Sequence, residues 1–345
     1  MNMYWGSARV LVGLIVTGFL CISWASAQTS DFERGVTEFR AGNYSSAAKI
    51  FAEAESSSPG TTDALLYEAK CLVNLEDFAA AEKALRIYMA SHTNSADAAY
   101  LLAFVLHRQN RPAESLTAYT QAAAITQPTG DDLKIVGLDY VLLDDYPDAI
   151  KWLEKAVEFD PKNKDAWYYL GRAYYTNARL LEARRAFQRV LDLDPHDVKA
   201  ENNLGLIFES SAQPDAAIDS YTKAIDWDQR SPHPSEQPYV NLGSLLLEQG
   251  RTEEAISALE KSVALAPNDG FCRLKLGTVY LRAGKLEAAQ RELEKATSLE
   301  PDNAAAHYLL GKLYKQIRET DRAKAEFDRT AELQARAAGS SPSKH

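Results

Sequence analysis

Apolar side chains along this chain fall three and four residues apart. Trp167, Leu170 and Tyr174 are followed by Ala183 and Phe187, and farther on Leu276 and Tyr280 are followed by Ala289, Leu293 and Ala296. That spacing places them on one side of a helix with 3.6 residues per turn, so each run predicts an amphipathic α-helix. The two-residue alternation of a strand occurs in no segment. The runs come in pairs: a short turn such as Ala41-Gly42-Asn43 separates the two members, and a breaker such as Asp160-Pro161 or Asp194-Pro195 closes the second.

The pairs are periodic. Every 34 residues the chain places a glycine or alanine, at Gly35, Ala69, Ala103, Gly137, Gly171 and Gly205, then after a four-residue slip at Gly243, Gly277 and Gly311. Twelve residues after each stands another small residue: Ala47, Ala81, Ser115, Ala149, Ala183, Ala217, Ala255, Ala289 and Ala323. Two antiparallel helices need small residues where their backbones approach most closely, because a larger side chain overpacks the contact. The period therefore encodes a stack of helical hairpins, each too small to bury its apolar faces alone and stabilised by its neighbours.

The fifth unit displays Trp167, Leu170, Gly171, Tyr174, Ala183, Phe187 and Pro195, which resembles the tetratricopeptide repeat. Leu204, Gly205, Phe208, Ala217, Tyr221 and Ala224 repeat the pattern in the sixth unit, and Leu276, Gly277, Tyr280, Ala289, Leu293, Ala296 and Pro301 in the eighth. The resemblance implies an all-α fold, a right-handed α-solenoid of nine antiparallel helix-turn-helix repeats. Six repeats occupy residues 28–231 and three occupy 236–337, with an insertion at 232–235 and a tail at 338–345. In the first unit Asp31, Arg34 and Glu38 take positions that are apolar in the fifth, as expected of an N-terminal cap.

Residues 1–27 stand outside the period. Arg9, the uncharged run from Val10 to Trp24 and the small residues Ala25-Ser26-Ala27 form the pattern of a signal peptide cleaved after Ala27, with an uncleaved membrane anchor as the alternative. The expected protein is exported, periplasmic or secreted. Its net charge of −10 becomes one unit more negative when Arg9 is removed, which argues against nucleic-acid partners. Cys71 and Cys272 lie six units apart and are out of disulfide reach within one chain.

Candidate chemistry is sparse. Phosphate-binding, nucleophile and metal-protease motifs are missing, and His92, His107, His196, His233 and His307 have no partner at metal-ligand spacing. The expectation is a non-enzymatic protein with no catalytic residue, metal or cofactor. The paired acids Asp131-Asp132, Asp144-Asp145 and Glu253-Glu254 could suggest acid-base chemistry. However, Asp63, Asp97, Asp131 and Asp165 share the second position of their units and are expected to complement helix N-termini. Asn43-Tyr44-Ser45 matches a glycosylation acceptor, which has meaning only in a eukaryotic source.

In the family that this chain resembles, the first helices of successive repeats line a concave face and make the partner contacts. The corresponding positions here carry aromatics in the first five units, namely Phe32, Phe39, Tyr67, Tyr100, Phe104, Tyr168, Tyr169 and Tyr175. Lys134, Arg172, Asn202, Asn203 and Asn241 follow, and then Lys275, Arg282, Lys312 and Lys315. Asn203 and Asn241 hold the same position in consecutive units and are expected to clamp the backbone of an extended peptide, with Arg172 facing Asn203 to hold a carboxylate. The leading expectation is a scaffold or adaptor that binds a peptide or protein segment, and the tyrosine-lined half keeps a glycan as the alternative partner. Any membrane attachment would run through the N-terminal segment.

Overall fold

The computed structural model describes residues 31–57 and 63–339; the expected signal peptide at 1–27 and the tail residues 340–345 lie outside them. Every regular element among the described residues is a helix, and the helices pair in chain order. The first four pairs are α1 (31–40) with α2 (Tyr44–Ser57), α3 (Ala64–Asn74) with α4 (Phe78–Ser91), α5 (Ala96–Arg108) with α6 (Pro112–Ala123), and α7 (Gly130–Leu142) with α8 (Tyr146–Phe159). Then come α9 (Lys164–Thr176) with α10 (Leu180–Leu193), α11 (Val198–Ser210) with α12 (Pro214–Asp228) and α13 (Gln237–Glu248) with α14 (Thr252–Leu265). The last are α15 (Gly270–Arg282) with α16 (Leu286–Leu299) and α17 (Ala304–Gln316) with α18 (Thr320–Gly339). The chain forms two compact units, divided between Ala173 and Tyr174.

A backbone device repeats in every pair. Gly42, Glu76, Asn110, Asp144, Ala178, Ala212, Gly250, Gly284 and Arg318 all have positive φ, between 55° and 79°. Each ends a first helix in the left-handed conformation. The following amide then donates back across the turn, as in Asp77 N to Leu72 O at 2.9 Å, Gln213 N to Phe208 O at 2.9 Å and Glu319 N to Tyr314 O at 2.8 Å. This Schellman closure satisfies a carbonyl that the helix leaves orphaned and reverses the chain.

The small-residue lattice lies where the helices meet. Ala47, Ala81, Ser115, Ala149, Ala183, Ala217, Ala255 and Ala289 are wholly inaccessible to solvent. Ser115 Oγ also donates to Ala103 O at 2.8 Å, so the one hydroxyl in this lattice is satisfied within its own repeat. Opposite the glycines stands a large residue sixteen positions on: a Cβ at Gly35 would meet the Phe51 ring, at Gly137 Leu153, at Gly243 Leu259 and at Gly277 Leu293. Phe51, Leu153, Leu259 and Leu293 are themselves fully buried. The close backbone approach is thus used to seat one bulky side chain per repeat.

Within each unit, first helices of neighbouring repeats touch: α3 with α5 and α5 with α7 in one, α11 with α13, α13 with α15 and α15 with α17 in the other. Second helices of neighbouring repeats keep their backbones farther apart and meet through long side chains, as in Arg86 of α4 with Glu114 of α6 at 3.7 Å and Tyr119 of α6 with Trp152 of α8 at 6.1 Å between ring centres. The first-helix layer is therefore the inner one in each unit. Between α12 and α13 the longer connection is tied by one residue, Asp228: its carbonyl accepts from Ser231 N at 2.8 Å and its Oδ2 from Ser235 N at 2.5 Å.

Candidate partner-binding face

Helix starts account for the acidic pairs. Asp145 caps α8 by accepting from Asp148 N, and Asp132 completes a capping box with Thr129 at the start of α7. Asp144 holds a left-handed turn, and Glu254 accepts from Arg251 at 2.7 and 2.8 Å. The capping role expected of Asp97, Asp131 and Asp165 belongs instead to residues just before them, since Ser95, Thr129 and Asn163 accept from the first-turn amides. Asp63 precedes α3 without a side-chain cap and accepts the Tyr88 hydroxyl at 2.6 Å. The first-turn acids still oppose the positive end of the helix dipole.

The early aromatics pack among themselves. Tyr67 sits 5.5 Å from Phe32, 5.7 Å from Phe39 and 5.3 Å from Phe51, ring centre to ring centre, so these half-buried side chains pack against the Phe51 core of the first repeats. Tyr168 and Tyr169 meet edge to face at 5.6 Å. Lys134 on α7 is largely covered and reaches Asp131 at 2.8 Å. Arg172 is exposed and belongs to the first unit.

In the second unit Tyr175 shares a hydrogen bond with Ser210 at 3.1 Å. The asparagines of this face bond within the protein. Asn241 Nδ2 donates to Asn202 Oδ1 at 3.0 Å, and its own Oδ1 accepts from Gln237 at 2.9 Å. Asn202 is buried at 7% exposure, whereas Asn203 turns back to donate to Lys199 O at 2.7 Å. Asn202 therefore links α11 to α13, while Asn203, expected with Asn241 on the peptide-binding face, bonds its own helix.

The last two inner helices have a character of their own. Helices α15 and α17 carry Arg273, Lys275, Arg282, Lys312 and Lys315 and not one Asp or Glu, in a chain whose net charge is −10. Arg273 is spent on Glu292 of α16 at 2.6 Å, and His307 meets Glu326 of α18 at 2.5 Å. Lys275, Arg282, Lys312 and Lys315 make no ion pair among the described residues. Two exposed aromatics lie beside them, each four residues before a lysine on its own helix. Phe271 is 43% exposed with Lys275 Nζ at 5.1 Å from its ring centre, and Tyr308 is 48% exposed with Lys312 Nζ at 5.8 Å. Neither aromatic stands out in the sequence, although the aromatic-to-lysine spacing of four, repeated in successive units, is a signal that could have marked them. Among the described residues no group of three or more His, Cys, Asp or Glu gathers, and no helix is long and apolar enough to cross a membrane.

Family models described as tetratricopeptide repeat match residues 38–103, 164–197, 196–268, 234–299 and 280–339, and a further TPR-repeat model matches 137–177. The cytochrome c-type biogenesis protein CycH of Pseudomonas aeruginosa is 32% identical over 120 residues, which cover 34% of this chain and 28% of that protein. The type IV pilus assembly protein PilF of the same organism is 30% identical over 96 residues, covering 28% and 36%. The chain thus spans about a third of the length of the curated relatives it matches. Among solved structures, a tetratricopeptide repeat protein from Parabacteroides merdae superposes with a TM-score of 0.59 at 19% identity, over 72% of this chain and 96% of that one. The type IV pilus biogenesis factor PilW gives 0.52 at 25% identity, over 60% and 92%. With helical pairs, left-handed turns and small-residue contacts in the same 34-residue frame, and repeat models matching residues 38–103 and 137–339, this chain belongs to the tetratricopeptide repeat family.

Proposed function

We propose that this protein is a non-enzymatic scaffold that binds an extended acidic segment of a partner protein on the inner face of its second unit. The observation that carries the reading is the charge segregation on α15 and α17, where four cations form no ion pair and two of them, Lys275 and Lys312, stand beside exposed Phe271 and Tyr308. A protein with a net charge of −10 has no stability reason to gather unpaired cations on one face. Their desolvation is repaid when carboxylates arrive, and the rings add apolar area for the segment between those carboxylates. The amides of Asn202 and Asn241 bond each other at 3.0 Å, which rigidifies the α11–α13 end of this face. Export of the protein is part of the proposal and rests on Arg9, the Val10–Trp24 run and Ala25-Ser26-Ala27. The relatives named for pilus assembly and cytochrome c biogenesis are compatible with a role in assembling an envelope complex.

The test is selection from a displayed peptide library by the mature chain, followed by fluorescence anisotropy on the selected sequences. Acidic peptides with interspersed apolar residues should be recovered, and Lys275→Glu with Lys312→Glu should weaken them by roughly tenfold or more, with far-ultraviolet circular dichroism unchanged. Their affinity should also fall as salt rises. Recovery of neutral or basic peptides, or binding indifferent to the charge reversal, overturns the reading.

A further inference from the structure

The first unit contains a cleft of about 580 Å³ between α5, α7 and the connection that joins α6 to α7. It exists for a local reason. Helix α6 has 12 residues where α4 and α8 each have 14, and Pro128 comes one position later than the prolines that close other repeats. The connection is lengthened accordingly, and Tyr100 Oη ties it down by donating to Thr126 O at 2.7 Å.

Tyr100, Phe104, Tyr119 and Ile135 supply apolar walls. The rings of Tyr100 and Tyr119 stand 5.8 Å apart at 67° and form a corner. Tyr119 occupies the place in its repeat that Tyr221 holds in the second unit, yet it lines an open cleft while Tyr221 is wholly inaccessible.

The charge at the rim is unbalanced. Lys70 is matched by Asp97 at 3.7 Å and Lys134 by Asp131 at 2.8 Å. Asp132 also lines the cleft and has no cation beside it. Its Oδ2 accepts from Thr129 N and Oγ1 at 2.8 and 2.6 Å, and its Oδ1 has no hydrogen bond among the described residues. Its charge is felt inside, since burial and the Asp132 carboxylate together hold the Tyr100 hydroxyl above its ordinary pKa. An aromatic corner below a carboxylate suits an alkyl chain with a cationic end, because the ring faces and the carboxylate both attract the cation while the stem covers apolar surface.

We propose that this cleft receives a lysine side chain from an extended segment of a partner protein, with its methylene stem in the Tyr100–Tyr119 corner and its ammonium at Asp132. The inference goes beyond the acidic-segment reading and uses residues of the first unit alone, so either can fail without the other. A cleft of this volume admits the lysine together with flanking peptide backbone.

The experiment is a methyl-NMR titration of the mature chain, following the Ile135 methyls, with N-acetyl-lysine methylamide and its norleucine and glutamate counterparts. The lysine compound should bind roughly fivefold more tightly than norleucine, and glutamate should not bind. Asp132→Asn keeps an acceptor for the Thr129 amide and should abolish the preference for lysine over norleucine. Tyr100→Leu keeps apolar volume and should weaken lysine roughly threefold while sparing norleucine. Equal binding of lysine and norleucine, a preference that survives Asp132→Asn, or no movement of Ile135 with any compound each overturns the proposal.

Discussion

Replacing Gly205 by alanine isolates the close helix approach on which each repeat depends. A Cβ at this position would overlap the edge of the Tyr221 ring, with Cδ1 at 2.6 Å. The ring has little freedom to yield: Tyr221 is wholly inaccessible and its hydroxyl donates to Glu209 at 2.7 Å. Overpacking of this kind costs about 1–3 kcal/mol, and moving the ring far enough to lose the Glu209 bond adds about 1 kcal/mol. Against this, exchanging glycine for alanine inside a helix gains about 1 kcal/mol. The net expectation is a loss of about 1–3 kcal/mol. Gly277→Ala meets Leu293 Cγ at 2.7 Å and the Leu293 backbone N at 3.3 Å, but no ring and no hydroxyl bond stand in the way of a small shift, so its loss should be smaller than that of Gly205→Ala, at about 1 kcal/mol. The second repeat already pairs Ala69 with Leu85, and both are wholly inaccessible, so Gly205→Ala combined with Tyr221→Leu should show a favourable coupling of about 1–2 kcal/mol. Urea titration of the four variants of this cycle and of Gly277→Ala, followed at 222 nm, measures the differences. A Gly205→Ala protein at least as stable as the parent, or a cycle without coupling, refutes the packing argument.

The left-handed turns offer the opposite substitution: Ala212, at φ 55°, replaced by glycine should stabilise by about 0.5–1 kcal/mol, and Gly250→Ala at φ 75° should destabilise by a similar amount, read from urea midpoints. Burial, aided by Glu68, pushes the Cys71 thiol up to about 11, and burial with Asp269 pushes Cys272 up to about 12. At pH 8 only about one Cys71 in a thousand is then thiolate, so native protein expressed from Gln28 onward should be nearly inert to Ellman's reagent and both thiols should react in urea. Burial and the Asp63 hydrogen bond raise Tyr88 to about 12, and burial with Tyr100 and Asp132 does the same for Tyr119. A pKa raised on folding gives stability that is whole below the ordinary value near 10 and is lost as pH climbs through 12, so circular dichroism should record alkaline unfolding in that window. Tyr88→Phe should flatten that pH dependence.

The regular part of the architecture was legible because each repeat must solve one packing problem with one residue type. Small residues are tolerated at the helix contact and little else is, so Ala47 and its counterparts announce themselves without any structure. The face was harder to read. Asn202 and Asn203 are neighbours in sequence but about 100° apart around a helix, and which of them meets Asn241 depends on where α13 lies after the four-residue insertion. Capping posed the same difficulty on a smaller scale, since Ser95 and Asp97 both suit a helix start and the choice depends on where α5 begins. Phe32, Phe39 and Tyr67 occupy positions that could have faced a partner, but the rings of Phe32 and Phe39 converge on Tyr67 and all three pack against the core. Phe271 and Tyr308 stay more exposed, although Tyr308 has the Phe327 ring 6.0 Å away. Composition does not separate the two cases; the number of rings that gather does.

The carboxylate clasp between α12 and α13 has a consequence for how this chain can change length. Asp228 accepts from Ser231 N through its backbone carbonyl and from Ser235 N through its carboxylate, so the extra residues form a closed excursion whose two ends are anchored to one residue. Loop entropy rises only slowly with added length, by about 0.6 kcal/mol for each doubling. Insertions at this point are therefore absorbed outside the packed helices, and the residues of α11 and α13 that touch each other keep their alignment. Residues 232–234 make a natural attachment point for a fluorophore, an affinity tag or a fused domain, displayed at a known place while the helical stack on either side stays in frame.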